Sequence, residues 1–388
     1  MNHSNPHIII IGAGFTGCAI AHDLALRGFA VSVYERGEIA SGTSGRTHGL
    51  LHSGARYCVT DQEAAVECIE ENIILRNIAK PCIEFNGGLF AAFNDSDLEY
   101  APLFINGAQE CGIPIEELNR EHVLALEPNL NPEVKLAYTV PDGSFDPLRL
   151  AFAFAATAKF NGAAFFPYHE VEGFLISNGR ISGIKVWDRR SNQKMESHAD
   201  LVINATGAWA GNLARLAEID VQVIPTPGIM VAYNQRLVNR VINRLNEPDD
   251  GDILIPQRRM VVIGTTSFDV EDVDYIPVVE DQIQQMQQSA VSMVPSVQNT
   301  TQRGIYMSAR PLIGITVLGR SLSRTFKCFD HQVMEGLEGF ITITGGKATT
   351  CRVMAEKTVD LVCQKLGYQQ TCSTAEVILQ SYRKYFEA

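Results

Sequence analysis

Residues 7–37 read HIIIIGAGFTGCAIAHDLALRGFAVSVYERG, and their hydrophobic pattern changes period twice. Residues 7–11 form a short apolar run that reads as a buried strand. Residues 12–17 make a tight turn, and residues 18–27 space their apolar side chains as a helix does. Gly28 closes that helix, and residues 30–34 are a second β-rich run ending at Glu35. Strand, turn, helix and strand make a βαβ unit at the very start of the chain.

Within it, Gly12-Ala13-Gly14-Phe15-Thr16-Gly17 fits G-x-G-x-x-G. The first glycine permits the turn, the second lets backbone approach a pyrophosphate, and the third lets helix and strand pack closely. The helix N-terminus then offers unpaired N–H groups to the phosphates. Alone the motif is weak, and a tight packing turn is its bland alternative. Here it follows a strand, opens a helix, and is followed 18 residues after Gly17 by Glu35, whose carboxylate can take a ribose 2′-hydroxyl. The stretch predicts an adenine dinucleotide domain, and the carboxylate at 35 argues against a 2′-phosphorylated cofactor.

The whole chain frames that domain. Its 388 residues carry 32 Lys+Arg against 44 Asp+Glu, a formal charge of −12, which speaks against nucleic acid as a partner because phosphate-backbone affinity rests on clustered cations. At 46% hydrophobic and 20% charged it has a globular enzyme's composition, long enough for roughly two to three domain-sized units. None of the nine Cys residues stands in C-x-x-C spacing, so no thiolate-ligated metal or cluster is expected. An odd thiol count without a signal peptide points to a reducing compartment, the cytoplasm. No apolar run reaches the ~18 residues of a membrane span, so any membrane contact would be peripheral.

Further along, helices are expected over 64–80, before Pro81, and over 149–160, before the Asn161-Gly162 turn. Strand-like segments follow at 165–171, 173–177, 181–187, 201–205, 221–233 and 260–267, then an exposed helix over 279–293 and an amphipathic one over 355–366. With no repeat and no low-complexity linker, the domains read as interleaved.

Three segments bear on which dinucleotide is held. Residues 41–57, SGTSGRTHGLLHSGARY, set small and hydroxyl side chains directly after the second strand. They suit a backbone laid along an extended cofactor, which a flavin dinucleotide needs more than a nicotinamide one; a solvated loop is the alternative. Residues 202–209, VINATGAW, read as a strand ending in a small turn. Residues 342–352, TITGGKATTCR, read as a strand whose glycine pair opens a helix with its N-terminus near the flavin ring.

With all three in chain order, the sequence resembles the D-amino-acid-oxidase-like flavoproteins. Within them it is similar to the FAD-dependent glycerol-3-phosphate dehydrogenases, of the kind of the large A subunit of the anaerobic enzymes. The likeness rests on residues 8–28, on IASGTSGRTHGLLHSGARYCVTD at 39–61 and on VPDGSFDPLRL at 140–150. It continues through VINATGAWA, DILIP, IGTTS, SARPL at 308–312 and GLEGFITITGGKATTCRVMAEK at 336–357.

The resemblance implies an α/β fold in which a Rossmann-like FAD domain (1–80, 141–222, 308–388) is interleaved with a mixed β-sheet substrate domain (81–140, 223–307). It implies non-covalent FAD, its ADP half held by Gly12, Gly14, Gly17 and Glu35, with Phe15, Thr16 and Arg36 also at the cofactor. Val171 would meet the adenine, while Ser41, Gly42, Thr43, Ser44, Leu51, Ala205, Gly207, Gly346, Lys347 and Thr349 would line the rest.

Oxidising a secondary alcohol needs a hydride acceptor and a base near neutrality, for which histidine is the economical choice. His52, in the loop that faces the flavin in the family, is the expected base; His48 is its competitor, and His331 is read as structural. A phosphate dianion entering a protein of net charge −12 needs a local cationic clamp, and Arg forks bind phosphate oxygens bidentately. The resemblance implies Arg56, Arg310 and Arg324 at the substrate, with Lys347 between substrate and flavin; Tyr57 is read as a hydrogen-bond donor to substrate, with simple packing as its alternative.

The expected reaction is oxidation of sn-glycerol 3-phosphate to dihydroxyacetone phosphate, with electrons passed to partner subunits or quinone and the protein peripheral on the inner face of the membrane through them. Two departures bear on it. Pro227-Gly228-Ile229 stands where relatives have Lys-Gly-Ser, and Cys351 replaces an aromatic residue, a change expected to act on packing near the flavin. The family's A subunits also continue into a small cysteine-bearing domain; this sequence ends at Ala388 without such a cluster, as a short relative or a piece of one. Two alternatives stay open: a flavin oxidase or dehydrogenase of 2-hydroxy or amino acids, with Arg310 on the carboxylate, and a non-catalytic flavin-binding subunit of a membrane complex.

Overall fold

The computed structural model describes residues 5–314 and 325–387. Its first layer grows from the strand His7–Ile11, which pairs in parallel with Ala30–Glu35 on one side and Leu201–Asn204 on the other. Phe340–Gly345 and Ala164–Pro167 extend the parallel run, and antiparallel Phe326–Asp330 closes one edge of the six-stranded sheet.

The run of isoleucines is unbroken because both faces of that sheet are covered. Strand alternation sends Ile8 and Ile10 into a core shared with the helices Phe15–Leu26, Pro147–Phe160 and Cys351–Leu366. Ile9 and Ile11 face the opposite core, built with Phe174 and Ile184 of the antiparallel strands His169–Ser177, Arg180–Asp188 and Gln193–His198.

The second layer is an eight-stranded sheet in the order 302–313, 223–233, 260–264, 253–257, 241–244, 88–92, 136–140, 116–119. Its members come from two separated stretches of chain. The long pair Val223–Tyr233 and Gln302–Ile313 runs antiparallel along almost its full length. Gln302–Ile313 crosses the expected 307/308 division, so the substrate-side sheet reaches further along the chain than motif boundaries indicated.

Local chemistry explains where the helices begin. The helix expected over 149–160 starts at Pro147, because Asp146 caps it by accepting from Arg149 N at 3.1 Å and proline suits the first turn. The helix expected over 64–80 is Gln62–Ile78, capped by Asp61 through Ala64 N at 3.2 Å. The helix expected to be exposed over 279–293, Glu280–Met293, is half-buried: Ile283, Met286, Ala290 and Met293 form one stripe against the eight-stranded sheet. The strands Gly88–Ala92, Val241–Arg244 and Ile253–Gln257 have no strong sequence signal, being short and deriving their stability from neighbours distant in sequence.

Candidate functional site

A cavity of about 1410 Å³ opens at the carboxyl ends of the parallel strands, where α/β sheets characteristically bind ligands. Ile11, Glu35, Ala205 and Gly345, each at or just past a strand end, form one wall. Gly228, Met230 and Tyr306–Leu312 of the eight-stranded sheet form the other.

At the amino-terminal turn, the three glycines have separate steric reasons. Gly12 takes φ 101°, and a Cβ there would lie 2.7 Å from Ala205 O. A Cβ on Gly17 would stand 1.9 Å from Gly12 O, so Gly17 serves turn–helix packing and does not itself line the cavity. A Cβ on Gly14 would meet Ser44 Oγ at 2.8 Å. Ser44 Oγ accepts from Phe15 N at 2.9 Å, tying the 41–44 segment to the N-terminus of Phe15–Leu26. Gly12, Gly14, Phe15 and Thr16 all face the cavity there.

Glu35 accepts from Ala13 N and Gly37 N, each at 2.9 Å. The carboxylate is thereby fixed across the turn, and a carboxylate has about four acceptor positions, leaving capacity for ribose hydroxyls. Ser41, Gly42, Thr43 and Ser44 line the cavity beside Ala205 and Gly207, and Val171 lines it with His169 and Arg189. An elongated cleft with a glycine turn at a helix N-terminus and a carboxylate fixed at the second strand fits an extended adenine dinucleotide.

Arg36 also lines the cleft, but its guanidinium is engaged: it pairs with Asp274 at 2.7 Å and stacks over Trp209 at 4.6 Å. Trp209 Nε1 donates to the same Asp274 oxygen at 2.9 Å. The segment 273–276 thus crosses the cleft and fastens onto the cofactor-side wall, a contact with no local sequence signal.

The opposite end gathers His48, His52, Arg56, Tyr57, Arg310 and Lys347. His52 is pinned from two sides: its N–H donates to Thr349 Oγ1 at 3.1 Å, and its carbonyl accepts from Asn72 Nδ2 at 3.0 Å. Its ring lies 5.3 Å from that of Tyr57, over which Lys347 Nζ sits at 5.0 Å. Burial pushes the His48 imidazole down to about 3, with the Arg310 and Arg56 guanidiniums opposing its protonation. Leu50 N–H donates to His48 Nδ1 at 3.1 Å.

Both arginines are held by protein acceptors. Arg310 Nε donates to Thr226 O at 3.2 Å, Nη1 to Thr265 Oγ1 at 3.0 Å, and Nη2 to Thr266 O at 2.8 Å and Pro227 O at 3.1 Å. A Cβ on Gly228 would lie 3.3 Å from Arg310 Nη2, so the Pro227-Gly228-Ile229 segment cradles this guanidinium by its backbone. Arg56 forms an ion pair with the buried Asp252 and also donates to Asp249 O at 3.2 Å.

Some expected site residues stand elsewhere. Leu51 points into the helix-side core, away from the cavity. Thr349 is fully buried and acts through its bond to His52. Gly346 and Lys347 do line the cavity, Lys347 following two left-handed glycines, Gly345 and Gly346, with φ 88° and 68°. Cys351 opens the helix Cys351–Leu366 from within the core, and Met354 of that helix reaches the cavity instead. His331 is structural in its surroundings, with Nε2 bonded to Thr342 Oγ1 at 2.8 Å and Nδ1 to Glu335 at 2.9 Å. Arg324 lies outside the described residues. Among the described residues no group of His, Cys, Asp and Glu is placed to hold a metal.

Comparison with known proteins places these features in company. The profile of the FAD dependent oxidoreductases matches residues 7–352. The chain is 40% identical over 376 residues to the A subunit of anaerobic glycerol-3-phosphate dehydrogenase of Escherichia coli K12, covering 96% of this chain and 69% of that one. With the Haemophilus influenzae A subunit it shares 40% over 373 residues, 95% of this chain and 66% of that one. The chain therefore spans about two thirds of the length of these relatives. Among solved structures, glycerol-3-phosphate dehydrogenase from Bacillus halodurans, complexed with FAD, superposes with a TM-score of 0.73 at 25% identity, over 98% of this chain and 68% of that one.

Proposed function

The chain belongs to the FAD dependent oxidoreductase family, among the relatives of the anaerobic glycerol-3-phosphate dehydrogenase A subunits, and on that footing we propose that it oxidises sn-glycerol 3-phosphate to dihydroxyacetone phosphate. The observation that carries the proposal is the meeting of two chemistries in one cavity: the dinucleotide turn at one end and the His48, His52, Arg56, Arg310 and Lys347 group at the other. When bound, FAD supplies the hydride acceptor for the alcohol carbon.

The protein's residues supply the rest. His52, held through its own N–H and carbonyl, takes the hydroxyl proton as the carbon is oxidised. Arg310 and Arg56 provide the positive field that draws a phosphate into an acidic protein, with their carbonyl and carboxylate partners fixing where each fork points. Lys347, over the Tyr57 ring, adds a cation beside the reacting end. Electrons then pass to a partner subunit, as the naming of the relatives as A subunits suggests, with any contact with a membrane made through such partners. No helix among the described residues is long and apolar enough to cross a membrane.

One observation favours a second reading. Arg56 is paired with Asp252, which lowers the net positive charge facing the cavity and so favours a monoanionic carboxylate over a dianion. Anaerobic titration with sn-glycerol 3-phosphate, following flavin absorbance near about 450 nm, tests the proposal. Bleaching supports it. A protein that stays yellow with glycerol 3-phosphate but bleaches with a 2-hydroxy or amino acid refutes it in favour of the carboxylate reading.

A further inference from the structure

Two histidines line the same end of the cavity, and at His48 the backbone fixes the hydrogen bonding of the ring. At His48 the backbone N–H of Leu50 donates to Nδ1, so that nitrogen presents a lone pair. A neutral imidazole with Nδ1 as acceptor carries its proton on Nε2. The backbone beneath it is clamped: the Gln257 side-chain amide donates to the carbonyls of His48 at 3.0 Å, Gly49 at 3.3 Å and Phe145 at 3.2 Å. Gly49 takes φ 75° in that clamp, and a Cβ there would collide with Gln257 Nε2. Protonating both nitrogens would break the Leu50 bond and set a third positive charge beside Arg56 and Arg310, which burial and those cations oppose. The ring lines the cavity, and among the described residues no protein hydrogen bond occupies Nε2.

We propose that His48 is a neutral hydrogen-bond donor of fixed tautomer, whose Nε2–H binds a phosphate oxygen of the substrate between the fields of Arg56 and Arg310. It is a binding residue, distinct from the base His52. An alcohol losing its proton needs an acceptor, which a nitrogen already bearing hydrogen cannot be. A phosphate oxygen beside two guanidiniums accepts only, and a neutral donor adds recognition there without a further charge to desolvate. This inference rests on the phosphomonoester reading above, and its test separates the two.

The tautomer is read by ¹⁵N NMR of histidine-labelled, FAD-loaded protein, with His48→Gln identifying the signals. The expected result is an unprotonated Nδ1 and a protonated Nε2 that hold from about pH 5 to about pH 9, outside the range in which an ordinary histidine stays neutral throughout. A proton on Nδ1, or a ring that titrates within that range, overturns the assignment. The role is read by kinetics. His48→Ala should raise KM for glycerol 3-phosphate, and weaken inhibition by inorganic phosphate, by about tenfold with kcat little changed; His48→Gln, which keeps an N–H at similar reach, should recover most of the loss. A fall in kcat of about a hundredfold in both variants with KM unchanged would make His48 the base instead. No change in either constant would remove it from the substrate. If the wild-type flavin is not reduced by glycerol 3-phosphate, the substrate reading and the phosphate contact fall together, while the NMR result still decides the tautomer.

Discussion

Replacing Glu71 by leucine removes one half of a buried fork that bolts two helices together behind the site. Arg352 Nε donates to both Glu71 oxygens, at 3.1 and 2.9 Å, and Nη2 to Oε1 at 2.5 Å. Both side chains are at most 5% exposed. Glu71 adjoins Asn72, which holds the His52 carbonyl, and Arg352 lies one turn beyond Thr349, which receives the His52 N–H. The pair therefore fixes the two supports of His52 relative to each other.

Breaking a buried pair by removing one partner costs about 3–5 kcal/mol, because a charge is left buried without compensation. Arg352 keeps Glu356 at 2.7 Å and Thr374 Oγ1 at 3.1 Å, so Glu71→Leu should fall at the low end of that range. Arg352→Met strands the carboxylate and should cost at least as much. The double variant removes both charges and should be more stable than either single one. Urea unfolding of the FAD-loaded protein, followed by tryptophan fluorescence, gives the three free energies. If the single effects add to the double within about 0.5 kcal/mol, the two residues are not coupled and this account of the helix contact is wrong.

Three further outcomes are expected. His52→Ala should lower kcat by about a hundredfold or more while leaving FAD bound, and unchanged turnover would move the base elsewhere. Asp274→Ala should speed FAD release, seen as recovery of flavin fluorescence. The side chains of Arg36 and Asp274 are 40% and 54% exposed, so the gain should not exceed about fivefold, the worth of a surface pair near 1 kcal/mol. His22 is fully buried with neither ring nitrogen hydrogen-bonded, and burial lowers it from 6.5 to about 4. Above pH 6.5 it is neutral in both states; as pH falls the unfolded chain takes up a proton that the folded one refuses, so stability drops by about 1.4 kcal/mol per unit down to about pH 4. His22→Leu should flatten that slope in urea melts at several pH values, and an unchanged slope would remove His22 from the acid response.

Much of this protein was legible in the order of its residues because the decisive information is local. Gly12 takes φ 101° and a Cβ on Gly17 would strike Gly12 O, so these two glycines are demanded by the turn itself and the motif carries much of its own geometry. Glu35 sits where the second strand must end, and the continuous isoleucines announce a strand covered on both faces. The motif order likewise pointed to the flavoprotein family that the comparisons show.

What the tertiary structure alone decided are contacts between residues hundreds of positions apart. Leu51 and His52 are neighbours in one motif, yet the first packs into the helix-side core and the second lines the cavity. Arg56 reads as a cation in one motif, and only the fold pairs it with Asp252, 196 residues on, which fixes where its fork points. Arg36 lines the cavity as its place after Glu35 leads one to expect, and only the fold shows it also paired with Asp274. Periodicity reports which face of an element is apolar. Which carboxylate meets which guanidinium depends on how two sheets from interleaved stretches of chain close on one cavity, a long-range geometry that local pattern does not encode.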